Sequence, residues 1–232
     1  PDGTGFIAPG VGQTTIGNSN LSWEKAKITN IGFNSILTNG LGIDFEYFIR
    51  ETNDILFDIP INVLTGFTSQ TSNAAKMENK GWELGLRYNK TFGDLKVQLS
   101  GQLSKVENTV VDLNPKVDGG DVDRIVYETR ILAEGFPFLG FYGIKTDGLI
   151  TGSPNAANAS LGAQAGDLNL VDFDEDGEIS LDDRQYLGKD IPTYTYGFQL
   201  GLQYKNFDLA AIFQGEADVQ YFGDFELWNP DF

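Results

Sequence analysis

Residues 172 to 183 read Asp-Phe-Asp-Glu-Asp-Gly-Glu-Ile-Ser-Leu-Asp-Asp, with carboxylates at alternate positions of the opening turn. Side chains so spaced converge when the chain wraps a hard cation. A glycine in sixth place permits the sharp turn, and the next residue adds a backbone carbonyl. On this spacing Asp172, Asp174 and Asp176 offer carboxylates, Glu178 its carbonyl, and Asp183 closes the site around Ca²⁺. Aspartate in the last place, where such loops usually carry a bidentate glutamate, lowers affinity or coordination number. No helical pattern flanks the loop, so a complete EF-hand is not expected. The competing reading is an acidic, solvated turn. Carboxylates this crowded repel one another without a cation, so the expectation is a structural Ca²⁺ that stiffens the loop.

Little other chemistry is on offer. The 232 residues contain neither Cys nor His, which removes disulfides, thiolate and imidazole ligands, and every nucleophilic scheme that needs them. Pairs such as Asp182 with Asp183, or Asp121 with Asp123, read as solvated acids rather than acid/base machinery, and no glycine-rich phosphate loop precedes a helix. The expectation is that the chain is not an enzyme. A net charge of −17 excludes a nucleic-acid partner, whose phosphates select basic faces. The aromatic and glycine-rich stretch 134 to 143 suits sugar stacking or a lid contact, or, as the favoured reading, packing of a loop onto a rim.

The elements that position the acidic loop announce themselves by alternation, because successive strand residues point to opposite faces. Leu41, Ile43, Phe45, Tyr47 and Ile49 fall on one face, with Gly42, Asp44, Glu46 and Arg50 on the other and Phe48 as the exception. Trp82, Leu84, Leu86 and Tyr88 repeat the pattern, as do Leu95, Val97, Leu99 and Leu103. In Tyr194, Tyr196, Phe198, Leu200, Leu202 and Tyr204 the ends are aromatic and the middle aliphatic. That order suits a strand crossing a bilayer with rings at each interface. Six strands follow, over 24–38, 41–54, 80–92, 95–110, 193–205 and 207–217, each reaching the ~9 to 11 residues that a tilted membrane strand needs.

The connections alternate too. Asn39-Gly40, Gly93-Asp94 and Lys205-Asn206 are short, whereas 55–79 and 111–192 are long. Outer-membrane barrels pair short periplasmic turns with long external loops in this rhythm. A soluble antiparallel sandwich also alternates apolar and polar residues, but requires neither the strand length nor the loop rhythm. Segment 111–192 holds 16 acidic against six basic residues, so most of the excess charge sits in one external loop. The fold class is therefore all-β, an antiparallel transmembrane barrel segment. Seventeen Phe, nine Tyr and 28 Gly with a single Met fit that class. No run of about 18 apolar residues marks a membrane helix, and the sequence reads as cut at both ends.

Several blocks resemble the C-terminal barrel of SusC/RagA-type TonB-dependent transporters. They are Leu21-Ser-Trp-Glu24, Asn79-Lys-Gly-Trp-Glu83, Gly135-x-Pro137 with Phe141-Tyr-Gly143, and the run from Gly166-Asp167 through Asp172-x-Asp-x-Asp-Gly177 and Asp183-Arg184 to Tyr204-Lys-Asn-Phe-Asp208 and Phe213-Gln-Gly215. The resemblance spans nearly the whole chain. It implies one sector of a large plugged barrel of about 22 strands, since six strands cannot close a membrane barrel. It also implies a place in the outer membrane among its lipids, and TonB-powered import of an oligosaccharide or peptide substrate. The plug and TonB-contacting part would lie outside residues 1–232, and a SusD-like surface lipoprotein would act as lid over the loops at 55–79 and 111–192. The alternatives are a siderophore or vitamin receptor of the same barrel type, and a secreted calcium-binding adhesion module.

Overall fold

The computed structural model describes residues 16–37, 40–113, 116–117, 120–121 and 124–223. In chain order its strands are β1 (Lys25–Ile36), β2 (Leu41–Pro60), β3 (Ser69–Phe92), β4 (Leu95–Leu113), β5 (Lys116–Val117), β6 (Gly120–Asp121), β7 (Arg124–Tyr127), β8 (Arg130–Ala133), β9 (Gly140–Ile144), β10 (Thr146–Leu149), β11 (Leu168–Leu170), β12 (Arg184–Gly188), β13 (Tyr194–Tyr204) and β14 (Phe207–Ala217). One short helix, α1 (Ala156–Ser160), lies between β10 and β11. Of the three short connections, Asn39 lies outside the described residues. Gly40 adopts φ +85°, as a tight hairpin requires.

Six strands form one antiparallel sheet in the order β1-β2-β3-β4-β13-β14. The register confirms the alternation: Tyr47 faces Trp82, Trp82 faces Lys105, and Lys105 faces Tyr194, so rings from three strands and the lysine of β4 share one row. Partners directly opposite in an antiparallel pair share a face. The apolar face is therefore continuous, and Phe33, Phe198, Leu209 and Phe213 are largely exposed on it. The other face is polar and concave, with Asp44, Glu46, Glu83, Gln102, Gln199 and Gln214 lining one hollow that spans the sheet. Phe48 departs from the alternation for a local reason. It lies opposite Gly81, and its ring occupies the space a side chain there would fill.

β13 has 11 residues. At about 3.4 Å per residue and a tilt near 40°, such a strand rises roughly 25 Å, the height of an apolar membrane band.

The expected loop at 55–79 is corrected. β2 continues to Pro60 and β3 begins at Ser69, leaving 61–68 as the connection, and β4 runs on to Leu113. Register shifts at Thr52/Ile55 and Ile55/Leu56, with Asp54 at φ +59°, break the alternation while the backbone ladder carries on. Beyond the membrane band both faces of this hairpin meet water or protein, so no lipid imposes a pattern.

Strands between Arg124 and Gly188 build a second sheet, in the order β12-β9-β8-β7, which packs against the polar-side face of the extended hairpins. Ile125 and Leu132 join Ile55, Ile59, Ala74, Ala75, Val110 and Leu113 in one core. The segment thus folds inward over the mouth of the concave face.

Candidate functional site: the acidic loop and the barrel mouth

Two asparagines fix the segment that carries the acidic loop. Asn108, 7% exposed on β4, accepts the N–H of Phe138 at 2.7 Å and donates to Asn79 at 2.7 Å. Phe138 then meets Phe57 edge-on at 5.7 Å, and Phe57 meets Tyr127 at 5.2 Å. The stretch 134–143 is thereby packed onto the rim, as favoured from the sequence. Burial pushes the Tyr127 hydroxyl up to about 12, and that hydroxyl donates to the carbonyl of Asp58 at 2.7 Å.

Asn158 is fully buried in the middle of α1. Its amide donates to the Leu170 carbonyl at 2.8 Å and accepts the Leu170 N–H at 3.0 Å. Asn155 caps the helix by accepting the Asn158 N–H at 2.8 Å. This holds β11 in place two residues before the acidic loop begins. Sequence reasoning missed both Asn108 and Asn158. Asn155, three residues ahead of Asn158, carried a capping signal, whereas nothing at Asn108 distinguished it from the polar residues around it.

Within the loop, Asp172, Asp174 and Asp176 bring carboxylate oxygens within 4.8 Å of one another. Gly177 takes φ +89° and donates its N–H to Asp172 Oδ2 at 2.9 Å. The Glu178 N–H donates to Asp176 Oδ1 at 2.8 Å, which draws Glu178 to the cluster by its backbone while its side chain stays exposed. Asp172 Oδ1 is enclosed and has no hydrogen-bonding partner among the described residues. A buried carboxylate oxygen without a donor is costly, and a bound cation would satisfy it. The Asp176 N–H pulls Asp174 down, but partial burial and the charges of Asp176, Asp183 and Asp172 outweigh it and leave its carboxyl above the ordinary value.

Asp183 does not join that triad. It is fully buried, and its two oxygens accept the N–H groups of Phe173 at 2.6 Å and Ser180 at 2.7 Å. The Ser180 and Phe173 amides hold its carboxyl below the ordinary value. It ties the two ends of the loop together from inside.

A second clamp closes the segment where it returns to the sheet. Asp218 accepts from the Thr193 hydroxyl and lies 3.4 Å from Lys189 Nζ. Gln220 exchanges two hydrogen bonds with the Lys189 backbone, at 2.7 and 2.8 Å, its side chain lying against Gly188.

A twisted sheet of long strands, apolar outside and polar within, capped at one end by an inward-folded segment, defines a sector of a membrane-spanning β-barrel. The chain belongs to the family described as "TonB dependent receptor-like, beta-barrel", whose profile matches residues 3–231. Among its relatives, the TonB-dependent receptor P3 of Formosa agariphila is 34% identical over 218 residues, covering 90% of this chain and 22% of the relative. The TonB-dependent receptor SusC of Bacteroides thetaiotaomicron is 27% identical over 221 residues, covering 90% and 21%. Among solved structures, the RagAB peptide transporter superposes with a TM-score of 0.70 at 26% identity, covering 90% of this chain and 23% of that one. The RagAB peptide importer in its "closed-closed" state matches with a TM-score of 0.70 at 25% identity, covering 92% and 23%. The chain spans about a fifth of the length of the curated relatives it matches. It is a SusC/RagA-type outer-membrane barrel segment, which sets aside the secreted adhesion module.

Proposed function

We propose that this chain supplies one wall sector and one mouth segment of an importer that draws an oligomeric nutrient, a glycan or a peptide, across the outer membrane. TonB would power the import through a part of the protein outside residues 1–232, and a SusD-like surface lipoprotein would sit as lid over the 111–192 segment. The observation that carries this reading is the inward fold of that segment. Phe138 and Leu132 pack it against the polar-side face of the extended hairpins, and a lid would rest on its outer surface. The likeness to RagAB, a peptide importer by its description, supports the same reading. The reading is tested by extracting the full-length protein from the outer membrane in mild detergent. A lipoprotein held in stoichiometric amount supports it, and a barrel that purifies alone favours the siderophore or vitamin alternative.

The same reading gives loop 172–183 a structural Ca²⁺ held by the carboxylates of Asp172, Asp174 and Asp176 and the Glu178 carbonyl, with Asp183 bracing the loop. Its support is the unpartnered, enclosed Asp172 Oδ1 beside two further carboxylates.

A further inference from the structure

The outward face of the sheet changes character abruptly at one end. Along β3 it reads Tyr88, Leu86, Leu84, Trp82, then Lys80, Glu78 and Lys76. Register carries this boundary across the neighbouring strands. Lys27 and Glu51 are paired with each other, Glu51 with Glu78, Lys80 with Glu107, and Lys105 with both Trp82 and Tyr194. Lys25, Lys27, Lys76, Lys80 and Lys105 thus gather on the lipid-facing side, level with the aromatic row or just beyond it, at the end that carries the 111–192 segment. On the same face at the opposite end of β3 stands Lys90 alone. This clustering runs against the composition, since the chain has 33 acidic and only 16 basic residues.

The ammonium groups are only partly used. Lys25 meets Asp54 and Lys105 meets Glu107 at hydrogen-bond distance, 2.8 and 2.7 Å. Lys27 and Lys76 share Glu51 at 3.5 Å each, and Lys80 stands 3.9 Å from both Glu78 and Glu107. Lys27 and Lys80 remain 73% and 46% exposed. Exposed pairs of this length contribute little, so these donors are free to turn to another acceptor. Long external loops mark this end as the outer one, and rings at a membrane interface place the next rows at headgroup depth. Lysines at that depth attract anionic headgroups.

We propose that Lys27, Lys76, Lys80 and Lys105 form a shelf that binds the phosphate of a phosphorylated lipid in the outer leaflet. The shelf grips one headgroup from the side of the barrel, and its carboxylates, Glu51, Glu78 and Glu107, space the lysines apart. This inference rests on the membrane placement of the sheet and is independent of what the barrel imports.

The test is native mass spectrometry of the delipidated full-length protein in detergent, titrated with phosphatidic acid and, separately, with phosphatidylcholine. Wild type is expected to retain phosphatidic acid in preference. The K76Q/K80Q/K105Q variant should bind it at least about tenfold more weakly, because each lysine removed takes away attraction for the anionic headgroup. K90Q, on the same face at the other end, should bind as wild type does, and K76R/K80R/K105R should keep the lipid. Heat-modifiable gel mobility confirms that each barrel is folded, and K80Q alone, with a smaller loss, serves if the triple variant fails to assemble. Unchanged binding in the glutamine variants, or an equal loss in K90Q, overturns the proposal. So does displacement of the lipid by equimolar inorganic phosphate, which would mark a solution anion site.

Discussion

Asn108 Oδ1 accepts the backbone N–H of Phe138 at 2.7 Å, so a residue on a membrane-crossing strand holds the tip of a segment thirty residues further along the chain. Replacing Asn108 with Leu keeps the volume and removes the acceptor, leaving a part-buried N–H without a partner. A loss of about 1 to 3 kcal/mol is expected from such a group, felt locally because Asn108 lies on the part of β4 beyond the aromatic row, under Phe138. Hydrogen exchange on the full-length barrel should show faster exchange at Ile131, Leu132 and Phe138, with the amides of β13 unchanged.

Gly81 is the second point of close approach. A β-carbon there would meet the Lys105 carbonyl at 2.1 Å and the Phe48 ring at 3.0 Å. Gly81→Val must therefore push Phe48 off the inner face and part β3 from β4, and the outer-membrane yield of folded barrel should fall severalfold. Gly93→Ala, in a turn where a β-carbon meets nothing within 4 Å, should give a much milder defect through its φ of +59° alone. Heat-modifiable mobility of membrane extracts reads both.

Asp218 gives the mouth segment a pH dependence of known sign. The Thr193 hydroxyl first, and then Lys189, hold its carboxyl below the ordinary value of 3.8. A carboxylate depressed in the folded state stabilises fully above its unfolded value, and that contribution is lost as pH falls through the folded one. The clamp should hold from neutral pH down to about 4 and open below. Limited proteolysis at stepped pH should show cleavage near Lys189 only in the acid range. Asp218→Asn should leave the clamp weakened at neutral pH as wild type is only in acid, and so remove the dependence.

The proposed Ca²⁺ site separates two roles that spacing alone assigns to one set of residues. Asp172→Asn and Asp176→Asn should each abolish a Ca²⁺ equivalent measured by elemental analysis of the full-length protein, and should remove the protection from protease that Ca²⁺ confers. Asp183→Asn should loosen the loop in chelator as much as in Ca²⁺, because the amide keeps a single acceptor oxygen and so loses one of the bonds to Phe173 and Ser180, setting a donor against that N–H, in either state. Equal metal content in the Asp172 and Asp176 variants and in wild type would contradict the metal assignment.

How far the sequence was legible follows from where solvent and lipid divide the faces. β14 was legible to its last residue, and β13 to within one at each end, because lipid on one side and water on the other force strict alternation. The same reasoning stopped at 54 in β2 and started at 80 in β3. Beyond the membrane, Ile55, Ala74 and Ala75 are buried by Leu132 from a distant segment, and no local pattern records that contact. In the acidic loop, Asp172, Asp174 and Asp176 lie together, as their spacing suggests. Whether the carboxylate of Asp183 meets an ion or its own loop's amides depends on the path of the backbone, which spacing does not encode.

The central claim is import of an oligomer, and growth tests it most directly. The strain lacking the full-length gene should be compared with its complemented counterpart on a panel of oligosaccharides and peptides, on their monomers, and under iron or vitamin limitation. The account predicts that growth is lost on one oligomer, retained on its monomers, and restored by complementation only while TonB is functional. Normal growth on every oligomer, with a defect confined to iron or vitamin limitation, would contradict it.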